Sequence, residues 1–165
     1  MEIEPILVLT TGGTIDKQYF DALSQYQIGE TVVTDLLTVA RITHPYLVEE
    51  VIRKDSLDLE EEDRQHIVGR VRQAGNSKVV ITHGTDTMTV TAAALAGIAN
   101  KTIVLTGALS PARFSESDAP FNLGMAFAAV QIAPPGVYLA INGFIFRSGE
   151  AVKDRDQGRF IPLDK

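Results

Sequence analysis

The sequence predicts a three-layer α/β protein in which a doubly wound parallel sheet of about five strands lies between helices. Five short apolar runs are each followed by a polar turn, and segments of mostly helical pattern connect them. Because parallel strands need long crossover connections and are buried on both faces, this alternation favours a parallel sheet. The 165 residues fit a single domain, 1–165, with a core of its own.

The predicted elements follow one another closely along the chain. We expect strands at residues 6–9, 46–52, 78–82, 102–106 and 137–141. Apolar residues at helical spacing predict helices over 31–40, 58–74, 88–99 and 118–132. Asp58 should cap the second helix, with Glu61 completing a capping box, and Asp118 should begin the last one.

Two segments show no clear period. Residues 16–30 carry aromatic side chains without helical spacing, and we interpret them as a long mobile loop and a candidate lid. Residues 144–165 are interpreted as a polar tail that adds no sixth strand–helix unit.

Composition excludes several classes of protein. The net charge of −6 argues against a nucleic-acid partner or an anionic membrane surface. The chain has no cysteine, which excludes a disulfide framework, thiol catalysis and a cysteine-ligated zinc. The first residues are acidic and the apolar run behind them is too short for a signal peptide or a membrane span, so we expect a cytoplasmic location.

The rest of the chain is organised around residues 7–15, with the sequence LVLTTGGTI. The apolar strand ends at two threonines, and Gly12 and Gly13 let the backbone turn sharply and be approached closely. Thr14 then places a hydroxyl just after the turn. This arrangement suits a nucleophile or an anion site, and it equally suits a tight exit from a strand.

A second polar turn, His83-Gly84-Thr85-Asp86, directly follows the third predicted strand. If the strand order is 2-1-3-4-5, as in flavodoxin-like and other Rossmann-type sheets, the first and third strands are neighbours at the point where ligands bind. The two turns then meet in one crevice and bring together two threonine hydroxyls and a carboxylate. A helix N-terminus lies behind them.

Each of these residues also has a simpler interpretation. Thr85 or Asp86 could cap the following helix, and Ser56 could serve a local turn before a helix. His83 has no other histidine at metal-ligand spacing, which favours a packed, hydrogen-bonded side chain and no metal. Gly12 and Gly13 lack the full dinucleotide fingerprint and a Walker lysine, so the sequence gives little support for a nucleotide.

Five stretches in sequence order resemble the bacterial-type L-asparaginase family. They are TTGGTI at 10–15, YQIG at 26–29, DSLDL at 55–59, HGTDTM at 83–88 and TGALSPARFSESDAPFNL at 106–123. The resemblance covers most of the chain and is confined to the family's N-terminal domain. It implies hydrolysis of the side-chain amide of asparagine, or of a similar small amide, without a metal or an organic cofactor.

The resemblance also implies roles for single residues. Thr14 would be the nucleophile, and Tyr26 on the lid would close over the substrate and help to remove its proton. Thr85 would be the second catalytic threonine, in a Thr–Lys–Asp relay with Asp86. The implied substrate-binding residues are Gly13, Ser56 for the α-carboxylate, Gly84, Thr85, Asp86 for the α-amino group and Ala108 for the leaving amide.

The chain departs from the family where the relay lysine is expected. In the family this lysine lies beyond the fifth strand, in a turn that resembles Phe-Lys-Ser, whereas Phe160 is followed here by Ile161. Lys153 resembles an earlier lysine of the family. The sequence therefore predicts that the catalytic lysine is missing, with Lys153, Arg155 or Arg159 as substitutes, although arginine stays protonated and cannot relay a proton.

The family's smaller C-terminal domain, which completes a neighbour's active site, is also not expected in these 165 residues. Two functions therefore stay open: an asparaginase-like amidohydrolase, and a non-catalytic amino-acid-binding module that has kept the pocket. The predicted helices 88–99 and 121–132 are apolar nearly all round, which indicates deep burial or a partner. A homodimer or higher homo-oligomer is the expected assembly.

Overall fold

The computed structural model describes residues 2–163, and the elements below all lie within them. The strands are β1 (Ile6–Gly12), β2 (Lys17–Phe20), β3 (Gln25–Ile28), β4 (Tyr46–Lys54), β5 (Lys78–Thr82), β6 (Thr102–Thr106), β7 (Gly136–Ile141), β8 (Phe144–Arg147), β9 (Ala151–Asp154) and β10 (Arg159–Pro162). The helices are α1 (Val33–Val39), α2 (Glu61–Gln73), α3 (Met88–Leu95) and α4 (Ala119–Ile132).

The central sheet has the order β4-β1-β5-β6-β7-β8. Its first five strands are parallel, and β8 returns antiparallel to β7 at the edge. This confirms the predicted α/β class and the order 2-1-3-4-5, with one strand added. The order reverses between β1 and β5, where Leu7 pairs with Val79 and Thr10 pairs with Thr82.

Helices cover both faces of the sheet because alternate side chains of its strands are apolar on both sides. On one face, α2 and α3 pack on Leu7 and Leu9 of β1. On the other face, α1 and α4 pack on Ile6 and Val8. All four of these side chains are buried, so the strands read as continuous apolar runs.

The segment predicted as a mobile loop is an ordered hairpin, which corrects the sequence interpretation. Strands β2 and β3 pair antiparallel, with Tyr19 opposite Tyr26. The rings of these two tyrosines lie 5.3 Å apart. Cross-strand aromatic pairs of this kind stabilise hairpins, and the pairing depends on a register that no helical or alternating apolar period announces.

Two predicted helix boundaries were wrong for local reasons. Residues Ser56–Asp58 form a 3-10 turn, so α2 begins later and the capping box is made by Glu60 and Asp63, not by Asp58 and Glu61. The Asp63 carboxylate accepts the Glu60 N–H at 2.9 Å. Helix α3 stops at Leu95 because the backbone then tightens into i→i+3 hydrogen bonds.

The predicted polar tail also contains structure. It supplies edge strand β8 and a separate antiparallel hairpin, β9–β10. Ala151 and Phe160 of this hairpin are buried in the core on the α2–α3 face. These two apolar anchors fix the hairpin against the sheet and decide where its polar side chains lie.

Candidate functional site

The turns that follow β1, β4 and β5 are in direct contact, as the strand order predicts. A Cβ added to Gly13, which has φ +82°, would lie 2.5 Å from the Gly84 Cα. A Cβ added to Gly84 would lie 2.5 Å from the Ser56 Cβ. Only glycine permits this approach at positions 13 and 84. Three sequence-predicted site residues thus meet at the carboxyl edge of the sheet.

A bulge at the end of β1 produces the turn that carries Thr14. The strand register shifts between Thr10 and Gly12, and Gly12 adopts φ +94°. The Thr11 hydroxyl donates to the Thr82 carbonyl at 2.8 Å, and Gly13 N–H donates to the Lys54 carbonyl at 3.0 Å. These bonds join the turn to both neighbouring strands and fix the backbone from which Thr14 projects.

Thr14 is partly exposed and opens on a cavity of about 400 Å³. The cavity is lined by Thr14, Lys17, Tyr26, Leu109, Pro111 and Phe114. Tyr26 therefore shares a cavity with the threonine that the resemblance makes the nucleophile. The volume suits a small ligand of amino-acid size.

Lys153 occupies the position that the sequence analysis left without a lysine, which corrects that prediction. Its Nζ donates to the Thr85 Oγ1 at 2.8 Å and to the Asp86 Oδ1 at 2.9 Å. The Arg155 guanidinium lies 3.6 Å from the same Asp86 oxygen. Lys153 is thus the substitute, out of the three considered, that contacts both Thr85 and Asp86.

The hairpin geometry explains how Lys153 reaches the turn. Lys153 pairs with Phe160 across β9 and β10, so the two side chains leave the same face of the hairpin. Phe160 is buried in the core, and the lysine on the same face is directed toward the sheet. The sequence signal was the alternation of Ala151 and Lys153 with the outward Val152, which a polar-tail interpretation overlooked.

Ser56 is buried in the 3-10 turn after β4, and the turn around it is firmly held. The Thr87 hydroxyl donates to the Ser56 carbonyl at 2.8 Å, and the Asp55 carboxylate accepts the Leu57 N–H at 3.1 Å. Lys17 lies 3.1 Å from Asp55. Burial raises the pKa of Asp55, but the Leu57 N–H and Lys17 outweigh it and hold the pKa below its usual range.

His83 is a fully buried packing residue, the simpler of its two interpretations. Its Nδ1 lies 2.7 Å from the Gly84 carbonyl, which can only accept, so Nδ1 carries the proton. Nε2 then accepts from the Thr91 hydroxyl at 2.7 Å. Burial lowers the pKa of His83 to about 4. Among residues 2–163 no cluster of His, Asp and Glu could hold a metal ion.

The turn after β6 contains Ala108, and two residues that sequence reasoning missed hold it in place. The Asp118 carboxylate accepts the N–H groups of Leu109 and Ser110 at 2.9–3.1 Å. The Asn122 amide donates to the Gly107 carbonyl and to Asp118, both at 2.9 Å. The spacing of Asp118 and Asn122, four residues apart on one helix face, was the available signal.

Ala108 packs with Ile15, the residue after Thr14, so this fourth turn closes the same site. Asp16 follows, and its carboxylate is buried where sequence reasoning expected a loop. It accepts the Val32 N–H at 2.9 Å. Burial, only partly offset by this bond, raises the pKa of Asp16 to about 6.

A search for membrane spans found no helix in the described part of the chain that is long and apolar enough to cross a bilayer. The family model described as "Asparaginase, N-terminal" matches residues 5–159. The L-asparaginase of Thermococcus kodakarensis is 31% identical over 141 residues, which cover 82% of this chain and 43% of that protein. The L-asparaginase of Dirofilaria immitis is 31% identical over an aligned length of 182 residues, covering 90% of this chain and 31% of that protein. One glutamyl-tRNA(Gln) amidotransferase subunit from Pyrococcus furiosus is 32% identical over 132 residues, covering 74% and 30%.

Solved structures agree with these relatives. The thermostable L-asparaginase from Thermococcus kodakarensis superposes with a TM-score of 0.84 at 29% identity, over 98% of this chain and 52% of that one. A probable cytoplasmic L-asparaginase from Campylobacter jejuni gives 0.83 at 30% identity, over 96% and 53%. The chain thus spans about half the length of these solved relatives. With a family match over nearly all of its length and a matching fold, the chain belongs to the asparaginase family, which it matches through the N-terminal domain.

Proposed function

We propose that this protein is an asparaginase-like amidohydrolase in which Thr14 is the nucleophile and asparagine or a similar small amide is the substrate. One observation carries the proposal: Lys153 bridges Thr85 and Asp86 at 2.8 and 2.9 Å. The turn that holds Thr85 touches the turn that holds Thr14, through Gly84 and Gly13. A side-chain hydroxyl, a cation and a carboxylate in one crevice supply the groups that amide hydrolysis needs.

The chemistry would run in two steps. The Thr14 oxygen attacks the amide carbonyl carbon while its proton is removed with help from Tyr26, and the C–N bond breaks to release ammonia. Water then hydrolyses the acyl ester, restores the threonine hydroxyl and releases the carboxylate product. Backbone N–H groups of the Gly12–Gly13 turn would stabilise the negative charge that develops on the carbonyl oxygen.

Thr85 and Lys153 would work as a relay beside this centre. A threonine hydroxyl is a poor nucleophile, or a poor orienter of water, until a neighbouring group accepts its proton. Lys153 could accept a proton from Thr85 after losing one, whereas Arg155 could not, because guanidinium stays protonated. Asp86 would hold the lysine in place and balance its charge.

Substrate binding would use groups of opposite sign. The Asp86 carboxylate would accept from the α-ammonium group of an amino acid, and Ser56 would donate to its α-carboxylate. Gly13 and Gly84 leave space for the substrate to approach the backbone, and the Ala108 carbonyl would contact the leaving amide. These roles need neither a metal nor an organic cofactor.

The test is release of ammonia from asparagine, glutamine and related amides by the purified chain. Thr14→Ala and Thr85→Ala should each lower kcat by about 10²- to 10⁴-fold, the contribution typical of a positioned acid–base or nucleophilic group. Thr34→Ala, on the exposed face of α1, is the matched control and should leave kcat unchanged. Amino-acid binding without ammonia release by the parent chain would contradict the proposal.

We further propose that residues 1–165 act as one domain on a small molecule, without nucleic acid, and as a homodimer or higher homo-oligomer in the cytoplasm. Phe121 and Ile132 of α4 are exposed, which supports an oligomer contact on that helix. The net charge of −6 supports the absence of a nucleic-acid partner.

A further inference from the structure

We propose that Arg113 and Phe114, in the loop between β6 and α4, form a clasp that positions the β2–β3 hairpin and thereby holds Tyr26 over Thr14. The inference rests on the proposed function for its catalytic consequence, and on geometry alone for the clasp itself. Phe114 would be a positioning residue, since it acts through Tyr26.

Arg113 binds the two ends of the hairpin at once. Its Nη1 donates to the Asp16 carbonyl at 3.0 Å, and its Nη2 donates to the Glu30 carbonyl at 2.8 Å. Asp16 directly precedes β2, and Glu30 lies two residues after β3. Arg113 therefore bridges the root of the hairpin with one planar group, which the rigid fork of a guanidinium allows and a lysine does not.

Backbone hydrogen bonds reinforce the same root. Gly29 N–H donates to the Asp16 carbonyl at 2.9 Å, and Ala112 N–H donates to the Ile15 carbonyl at 3.1 Å. The segment Ala112–Phe114, named the clasp here, thus touches the hairpin through its backbone, the Arg113 side chain and the Phe114 side chain.

Phe114 contacts the residue on which the chemistry depends. Its ring meets the Tyr26 ring edge-on, with the centroids 6.0 Å apart and the planes at 65°. Tyr19 contacts Tyr26 as well, at 5.3 Å. Phe114 and Tyr26 both line the Thr14 cavity, so the edge contact is made where the substrate would lie.

The hairpin has few other attachments in the described residues. Its side chains are mostly exposed, with none of Lys17–Phe20 or Gln25–Ile28 buried. Lys17 pairs with Asp55 on the far side, but a partly exposed ion pair contributes little. The clasp therefore decides what fraction of molecules keeps Tyr26 at the cavity, and turnover falls in proportion to that fraction.

The first test measures ammonia release by Phe114→Ala. We expect kcat to fall about three- to tenfold, the factor that one aromatic pair supplies. Phe114→Tyr, which keeps the ring, should restore kcat to within about twofold. Phe121→Ala is the matched control, because Phe121 is an exposed phenylalanine on α4 outside the cavity. Equal kcat values for Phe114→Ala and Phe121→Ala would overturn the proposal.

A second arm distinguishes positioning from general weakening of the fold. If Phe114 acts through the Tyr26 hydroxyl, Phe114→Ala should have no further effect on kcat in a Tyr26→Phe background. An equal loss in both backgrounds would overturn the positioning role.

The third arm does not depend on activity. Amide hydrogen exchange of residues 17–28 should be about tenfold faster in Arg113→Ala, which loses both carbonyl bonds, and faster in Phe114→Ala, with β5 and β6 unchanged. Arg113→Lys should behave like Arg113→Ala. Unchanged exchange in residues 17–28 would overturn the clasp. If the parent chain releases no ammonia, the proposed function fails, and this arm still decides whether the clasp exists.

Discussion

Lys153 shows how a single side chain can complete a site from the far end of the sequence. It is separated from Asp86 by 67 residues, yet its Nζ lies 2.9 Å from the Asp86 carboxylate. Its side chain is 17% exposed, so the ion pair is partly shielded from water and stronger than a surface pair.

Removing this cation should abolish most turnover and leave the fold intact. Lys153→Met keeps the length of the side chain and loses its proton and charge, so kcat should fall about 10²- to 10⁴-fold. Lys153→Arg should not restore the rate, because arginine cannot give up a proton at neutral pH. Lys78→Met, at the opposite end of β5, is the control. The relay is wrong if Lys153→Arg turns over as fast as the parent in the ammonia assay.

At this scale the sequence predicted more than a motif alone would allow. The contact of the Thr14 and Thr85 turns followed from strand order, before any distance was known. Lys153 did not, because its place depends on how β9 and β10 fold back and bury Phe160. Sequence pattern places Asp118 and Asn122 in a helix and no further, since their hydrogen bonds to a neighbouring loop leave no local signature.

Among the elements, the touching turns place a strict limit on side-chain volume. Gly84 lies between Gly13 and Ser56, and an added Cβ would stand 2.5 Å from the Ser56 Cβ and 2.6 Å from its Oγ. Such contacts force the backbone of one turn to move. Because these turns carry Thr14, Ser56 and Thr85, a displacement would separate the residues that the proposed chemistry needs.

Gly84→Ala should therefore destabilise the protein by about 1–3 kcal/mol and raise KM for the amide substrate. Gly69→Ala is the matched control, since Gly69 lies inside α2 with nothing within 4 Å of an added Cβ. That substitution should stabilise the protein by about 0.5–1 kcal/mol. Urea unfolding and substrate titration measure both effects. A Gly84→Ala chain as stable as the parent would show that the turns have more freedom than their contact implies.

Elements with a strong period were predictable, and those defined by pairing were not. The apolar strands and α4 needed only local pattern, and the predicted β6 and α4 match the structure closely. The β2–β3 hairpin is held by the Tyr19–Tyr26 pair and by Arg113, which comes 83 residues after Glu30. Contacts of that kind are invisible to any window along the chain.

Across the whole molecule, two buried groups give opposite pH dependences of stability. The pKa of Asp16 is raised to about 6, so its contribution is fully present below pH 3.8 and is lost as pH rises through about 6. The pKa of His83 is lowered to about 4, so its contribution is fully present above pH 6.5 and is lost as pH falls toward 4. Between these limits the two largely cancel.

The groups around each residue keep this pair distinct from the other carboxylates. Asp16 faces the Val32 N–H, Thr31, Arg113 and Glu50. Interactions in the folded state lower the pKa values of Glu4, Glu49, Asp55 and Asp63, so these residues influence stability at more acidic pH. The range from about pH 5 to 7 therefore reports mainly on Asp16 and His83.

Asp16→Asn should expose the dependence that the parent conceals. Asparagine can still accept the Val32 N–H and has no charge to bury, so above about pH 7 the variant should be more stable by about 2–3 kcal/mol, the linkage value of Asp16's shift of about two units. That advantage should shrink toward pH 5, where the folded parent holds a proton on Asp16. The variant alone should then lose stability steeply, because the unfolded His83 gains a proton that the buried ring refuses. Urea midpoints measured across this range test the prediction. Asp21→Asn, at an exposed carboxylate of the hairpin, should keep a constant offset from the parent. An Asp16→Asn offset that is equally constant would mean that Asp16 does not bury its charge.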